Sequence, residues 1–154
     1  MLKLKSHQQK EGFCGPASLK IVLRFFGVKK SEKELGELMG CTRHKGVTGF
    51  EIVTAAEKLG FKGYVKDFST LEEMREILAR KIPVIVEWFS EIEPHFSVVA
   101  RVDDNFVYLQ DPEIGDMRKI ELKTFDRIWF SFDGGIMKKK EDLVLRRMVV
   151  VEKK

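Results

Sequence analysis

A cysteine at a helix start, a histidine at a strand start and an aspartate at a strand end are the residue types from which thiol-dependent acyl transfer is built. This chain has one of each in such a setting. Cys14 stands before Gly15-Pro16 in the stretch "FCGPASLKIVLRFFG". Proline suits a first helical turn because its missing N–H would have no intrahelical acceptor there, so Cys14 is expected at a helix N-terminus. The orphan N–H groups and the helix dipole favour a negative sulfur at that place, and with a basic partner a thiol can fall from ~8.5 to ~3.5–7.5. Cysteine is also among the most buried residue types and packs as a small hydrophobe. By itself Cys14 leaves both readings open.

A thiolate nucleophile needs a basic or imidazolium partner, oriented in turn by a third group. His7 lies in a polar arm ahead of the helix, and His44 in the polar loop "CTRHKGVTG". His95 differs from both, because it opens an otherwise apolar strand, "HFSVVARV", directly after Pro94. Asp111 closes the next strand, "FVYLQD", where Pro112 stops the ladder and Gly115 completes a turn. If Asp103-Asp104-Asn105 is a tight hairpin turn, the start of the first strand and the end of the second are neighbours. His95 is about nine residues before the middle of that turn and Asp111 about seven after it, an offset that a small bulge or stagger absorbs. Each residue alone suits a structural role; the pairing points to chemistry. For a developing oxyanion, the side-chain amide of Gln8 or Gln9 and the backbone N–H of Cys14 are the candidate donors.

These residues need elements to hold them. From Gly15 to Phe26 the apolar positions Leu19, Val22, Leu23 and Phe26 repeat at helical spacing, and Gly27 supplies a stop. Ser31-Glu32-Lys33-Glu34 and Thr48-Gly49-Phe50-Glu51 are capping boxes for two further helices, which end at Gly40 and Gly60. A fourth helix opens at Ser69 or Thr70 and carries Leu71, Met74, Ile77 and Leu78 on one face. After Pro83 the pattern changes to β-branched and aromatic runs: "PVIVEWF", "HFSVVARV", "FVYLQD", "RKIEL" and "DLVLRRMVVVE". Helices gathered in the first half and mainly antiparallel strands in the second predict an α+β fold. Gly134-Gly135 reads as a loop between "TFDRIWF" and the last strand.

Composition narrows the function classes. With 154 residues and 44% of them hydrophobic, the chain is the size of one domain, spanning 1–154, with a real core. The net charge of +4 is spread along the chain, and the basic clusters Lys29-Lys30 and Lys138-Lys139-Lys140 are short and lack interleaved aromatics. They read as solvated surface, so no nucleic-acid partner is expected. No run has the length of a signal-peptide core or a membrane span, which points to a cytoplasmic protein. Cys41-x-x-His44 is at most half of a zinc site, so no metal and no cofactor is expected.

Taken together, Gln8, "CGPASL" from Cys14, "HFSVV" from His95, "DPEIG" from Asp111 and Phe125 to Trp129 resemble the double-glycine, bacteriocin-processing cysteine peptidase family of the papain-like group. The resemblance covers nearly the whole chain. It implies a papain-like α+β fold, with a helical N-terminal half packed on a mainly antiparallel C-terminal sheet. It implies Cys14 as nucleophile, His95 as acid and base, Asp111 as the group orienting the imidazole, and Gln8 as the oxyanion-hole amide, favoured over Gln9 by its offset from the cysteine. A peptide or protein would be the substrate. Family members often front a peptide-exporting transporter; with no membrane segment and no P-loop this chain is expected to be a free-standing version, any transporter partner being a separate chain. Phe13 departs from the family, which more often has a small or acidic residue there. The alternatives are a silent peptide-binding domain and a transpeptidase or amidase on the same scaffold.

Overall fold

The computed structural model describes residues 1–91, 93–132 and 136–154, so the Gly134-Gly135 loop lies outside the described residues. The chain runs α1 Cys14–Phe25, α2 Glu32–Met39, α3 Gly49–Lys58, β1 Phe61–Lys66, α4 Leu71–Ala79, β2 Val84–Phe89, β3 Pro94–Val102, β4 Phe106–Asp111, β5 Asp116–Glu121, α5 Leu122–Ile128, β6 Phe130–Phe132, β7 Leu143–Leu145 and β8 Arg147–Lys153. Both capping boxes form: Ser31 Oγ accepts from Glu34 N–H and Thr48 Oγ1 from Glu51 N–H, with the glutamates answering back. Thr70 caps α4.

Six strands form one sheet in the order β1-β8-β2-β3-β4-β5, every neighbouring pair antiparallel. Strand alternation sends residues to two separate cores. Ile85, Phe96, Val98, Val149 and Val151 pack under α1, α2 and α3. Val84, Val86, Trp88, Val99, Leu109, Met148 and Val150 pack with α4 and α5, around Met74, Phe125 and Trp129. The sheet is therefore the middle layer, which is why its central strands read as continuous apolar runs instead of alternating ones.

Two elements differ from the reading above, and a segment it left unassigned takes a form. Residues 61–66, in the helical half, form β1, which pairs with β8 at the sheet edge. Its exposure alternates around a single fully buried residue, Phe61, a pattern too weak to stand out between two helices. The run from Asp142 to Glu152 is not one strand, because Arg146 takes φ +50 and breaks it; β7 pairs with β6 in a separate two-stranded sheet, and β8 enters the main one. Finally, the segment around "TFDRIWF" divides into α5 and β6.

The turn between β3 and β4 closes without a left-handed residue. Asp103 Oδ1 accepts from the N–H groups of Asn105 (2.8 Å) and Phe106 (2.7 Å), the side chain reinforcing a turn that the bond from Asp103 N–H to the Phe106 carbonyl (3.0 Å) closes.

Candidate active site

Cys14 is the first residue of α1 and is a half-buried free thiol. The first N–H groups of a helix have no intrahelical acceptor, and no side chain caps this one, which leaves the N–H groups of Cys14 and Gly15 at the helix start without a side-chain cap. Gly15 is required next to it: a Cβ there would lie 2.2 Å from Val47 Cγ2, so only glycine lets the loop before α3 close against the helix start. Phe13, the departure from the family pattern, lies against Gly36 of α2, where a Cβ would come within 2.7 Å of its ring.

His95 is buried at the start of β3 opposite Trp88 of β2, their rings edge to face with centroids 5.8 Å apart. Its Nε2 stands 2.5 Å from Oδ1 of Asp111, a carboxylate with 0% exposure. This contact depends on a bulge. Near the turn Val102 pairs with Val107 and Arg101 with Tyr108, but beyond Ala100 the register shifts, so that Val99 faces Leu109 and Val98 faces Gln110. Without that shift Asp111 would stand opposite Val98, on the other face of the sheet from His95. With it, Asp111 comes opposite Ser97 and one diagonal step from His95, on the same face. Leu2 N–H bonds the carbonyl of Ala100 at 3.0 Å, holding the bulge from the N-terminal arm.

Electrostatics around the ring are decisive. Burial by itself would favour the neutral imidazole, but hydrogen bonds to Asp111 and to Cys14, with the charges of both, outweigh it and raise the pKa to about 10. Since Nε2 is taken by Asp111, Nδ1 is left for the Cys14 sulfur. Burial opposes the ionised form of Asp111, yet the bonds from His95, from Glu113 N–H and from Arg118 hold its pKa below the ordinary value. Cys41 is the contrast: burial, then the nearby Cys14, Glu32 and Glu51, push its thiol up to about 11. His95, Asp111 and Glu113 bring ligand-type atoms within 4.8 Å of one another. Protein donors already occupy them: Asp111 is bonded to the imidazole and the guanidinium, and Arg118 Nη2 lies 3.9 Å from Glu113 Oε2.

A cleft of about 630 Å³ opens onto His95. One wall is the loop carrying Arg43, His44 and Lys45; the other includes Glu87, Glu93 and Phe132. His44, read from the sequence as a loop residue, is in a loop but lines this cleft.

Gln8 lies against the turn that follows Asp111. Its amide donates to the carbonyl of Glu113 at 2.5 Å and reaches that of Pro112 at 3.5 Å, and a Cβ on Gly115 would meet its Oε1 at 2.6 Å. The reason is the path of the arm: Gln9 N–H bonds the Pro112 carbonyl at 2.9 Å, which lays Gln8 against the turn after Asp111. The sequence reading also passed over Glu113, Arg118 and Trp88. Counting the second hairpin would have found Arg118, since Asp111 pairs with Asp116 and Leu109 with Arg118, placing Arg118 on the face of Asp111.

Residues 4–133 match the model of the Peptidase C39 family. The chain belongs to this family. An uncharacterised protein of Methanothermobacter marburgensis is 33% identical over 138 residues, covering 88% of this chain and 89% of that one. The lactococcin-G-processing and transport ATP-binding protein LagD of Lactococcus lactis is 31% identical over 124 residues, which are 80% of this chain but only 17% of LagD. Among solved structures, the peptidase domain of Streptococcus ComA, a bifunctional ABC transporter involved in quorum sensing, superposes with a TM-score of 0.77 at 22% identity, covering 100% of both chains. A double-glycine-motif protease from an AMS/PCAT transporter, in complex with its leader peptide, gives 0.75 at 21% identity, over 99% of this chain and 94% of that one. The helices and mainly antiparallel sheet are the papain-like α+β fold of C39 peptidase domains. C39 is a family of cysteine peptidases. No helix among the described residues is long and apolar enough to cross a membrane.

Proposed function

We propose that this C39 protein is a peptidase that cleaves a leader peptide through Cys14, His95 and Asp111. The observation that carries the reading is the buried 2.5 Å contact between His95 and Asp111, with the Cys14 thiol near enough to help raise the pKa of the same ring. The reaction starts once Cys14 has passed its proton to His95, as a thiolate beside an imidazolium. The sulfur attacks the scissile carbonyl, and the negative oxygen that forms is met by the free N–H groups at the start of α1. His95 gives its Nδ1 proton to the leaving amine, the C–N bond breaks, and a thioester remains on Cys14. A water, losing a proton to the now neutral His95, attacks that thioester and releases the acid. Asp111 keeps the ring in one tautomer and one orientation throughout. Gln8 joins the oxyanion site by giving up its bond to Glu113. All 154 residues act as one catalytic unit, since Cys14 and Asp111 come from opposite halves of the chain.

The relatives support a peptide substrate: LagD is named for processing a lactococcin and the AMS/PCAT protease was solved with a leader peptide. A peptide cut after a pair of glycines is the corresponding substrate here.

Thiol labelling tests the site before any substrate is known. With iodoacetamide at about pH 6, Cys14 is expected to react at least tenfold faster than Cys41, and His95→Ala to remove that advantage. Equal slow labelling of both cysteines refutes the nucleophile. On a double-glycine peptide, His95→Ala should lower kcat/KM by about 10³–10⁴-fold.

A further inference from the structure

Asp111 faces more than the histidine. Its Oδ1 accepts from His95 and, at 3.0 Å, from the Glu113 N–H, while Oδ2 accepts from Nε of Arg118. Nη2 of the same guanidinium lies 3.9 Å from Oε2 of Glu113, and that oxygen is 3.7 Å from His95 Nε2. Arg118 also lies over the Trp88 ring, 5.9 Å from its centroid, and Trp88 is the ring that meets His95 edge-on. A fully buried carboxylate stays ionised only while its lone pairs are met. One planar guanidinium can meet two carboxylates through separate nitrogens, which a lysine ammonium does less well.

We propose that Arg118 is a positioning residue of the peptidase: it holds Asp111 turned so that Oδ1 faces His95, and it keeps Glu113 beside the ring as a second counter-charge. The inference rests on the Cys14–His95 reading above. Facing the ring are Cys14 from α1, Asp111 from β4 and Glu113 from the turn that follows, with Arg118 behind them on β5. Across and beside the cleft are Glu87 and Glu93 and the loop bearing Arg43, His44 and Lys45.

Two ways for Arg118 to act predict opposite signs. Acting only as a nearby positive charge, it would disfavour the imidazolium, and its removal would let His95 stay protonated to higher pH. Acting by holding the carboxylates, its removal frees Asp111 to rotate or to take up a proton and lets Glu113 swing into solvent. The imidazolium then loses its partners and gives up its proton at lower pH.

The experiment is the pH dependence of Cys14 alkylation by iodoacetate, an anion that reacts fastest while the imidazolium is beside the sulfur, read at Cys14 by peptide mapping. In the unaltered chain the rate should fall off on the alkaline side near pH 10. In Arg118→Ala that limb should move down by about one pH unit or more, in Arg118→Lys by less, and in Glu113→Gln by the least. Millimolar guanidinium should bring Arg118→Ala back toward the parent. A limb that stays in place or moves up in a folded Arg118→Ala overturns the proposal; should that variant fail to fold, Arg118→Lys carries the same test with the same sign. If the parent's Cys14 shows no reactivity above Cys41, the peptidase reading and this inference fall together. If the parent behaves as expected and the limb of the variant is unmoved, only this inference falls.

Discussion

Two arginines in this chain each stand between two carboxylates, and their surroundings give them unlike work. Arg147 on β8 makes a two-point pair with Asp67, Nε to Oδ1 at 2.7 Å and Nη2 to Oδ2 at 3.0 Å, and its Nη1 lies 3.6 Å from Oε1 of Glu87. Its guanidinium covers the Phe50 ring, 5.1 Å from the centroid, and its carbonyl accepts from Trp129 Nε1 at 3.1 Å. Arg118 on β5 bonds Asp111 and approaches Glu113, but there the carboxylate is shared with a histidine, and the histidine with a thiol. The comparison teaches that an arginine between two carboxylates is a tie when its partners are fixed charges. It becomes part of a proton-handling device when one carboxylate also grips a group that titrates.

The two regions can be separated experimentally. The largest effect should come from the carboxylate that the bulge brings to His95. Asp111→Ala leaves the buried imidazole without its partner, and turnover of a double-glycine peptide should fall about 10²-fold or more, while Ala100→Gly, which keeps the bulge, should cost less than about 1 kcal/mol of stability. Breaking the tie comes next. Arg147→Ala leaves Glu87 buried beside a lost partner and should lower stability by about 3 kcal/mol in urea unfolding, with the alkaline limb of Cys14 alkylation unmoved. A shifted limb would mean that the two arginines are coupled after all.

The smallest effect is in stability against pH. His95 has a folded pKa above its unfolded value, so its contribution is complete below about 6.5 and is lost as pH rises through about 10. The parent should therefore lose stability on the order of 2 kcal/mol across that window, less than full linkage because the charge is shared with Cys14 and Asp111. His95→Gln should show a flatter curve. No difference in slope between the two proteins would deny His95 its raised pKa.

What could be read from the sequence was whatever a few neighbouring residues decide. Ser31 with Glu34 and Thr48 with Glu51 announce α2 and α3 because a capping box is complete within four residues. Cys14-Gly15-Pro16 announces the start of α1 for the same kind of reason. The closeness of His95 and Asp111 was legible by counting outward from one turn, although the count alone could not say where the bulge lies or which face Asp111 takes. The features that stayed hidden depend on distant partners. Phe61–Lys66 is a strand because β8, about ninety residues later, pairs with it. Arg146 breaks the last apolar run through a left-handed φ that "LRRM" does not advertise. Gln8 is drawn to the turn after Asp111 because the arm's backbone pairs with Pro112, and nothing in "HQQKEG" fixes that path.

The N-terminal arm touches the β3–β4 hairpin at the two places where it departs from a plain ladder: Leu2 at the Ala100 bulge, Gln8 and Gln9 at the Pro112 turn. Those contacts span about a hundred residues of chain, and a ribosome needs about 5–20 s to add that many. Cys14 is made early and His95 and Asp111 late, so the nascent chain carries this thiol without His95 beside it for most of its synthesis. Chemistry that needs all three residues waits until the chain is largely made, a delay written into the order of its parts.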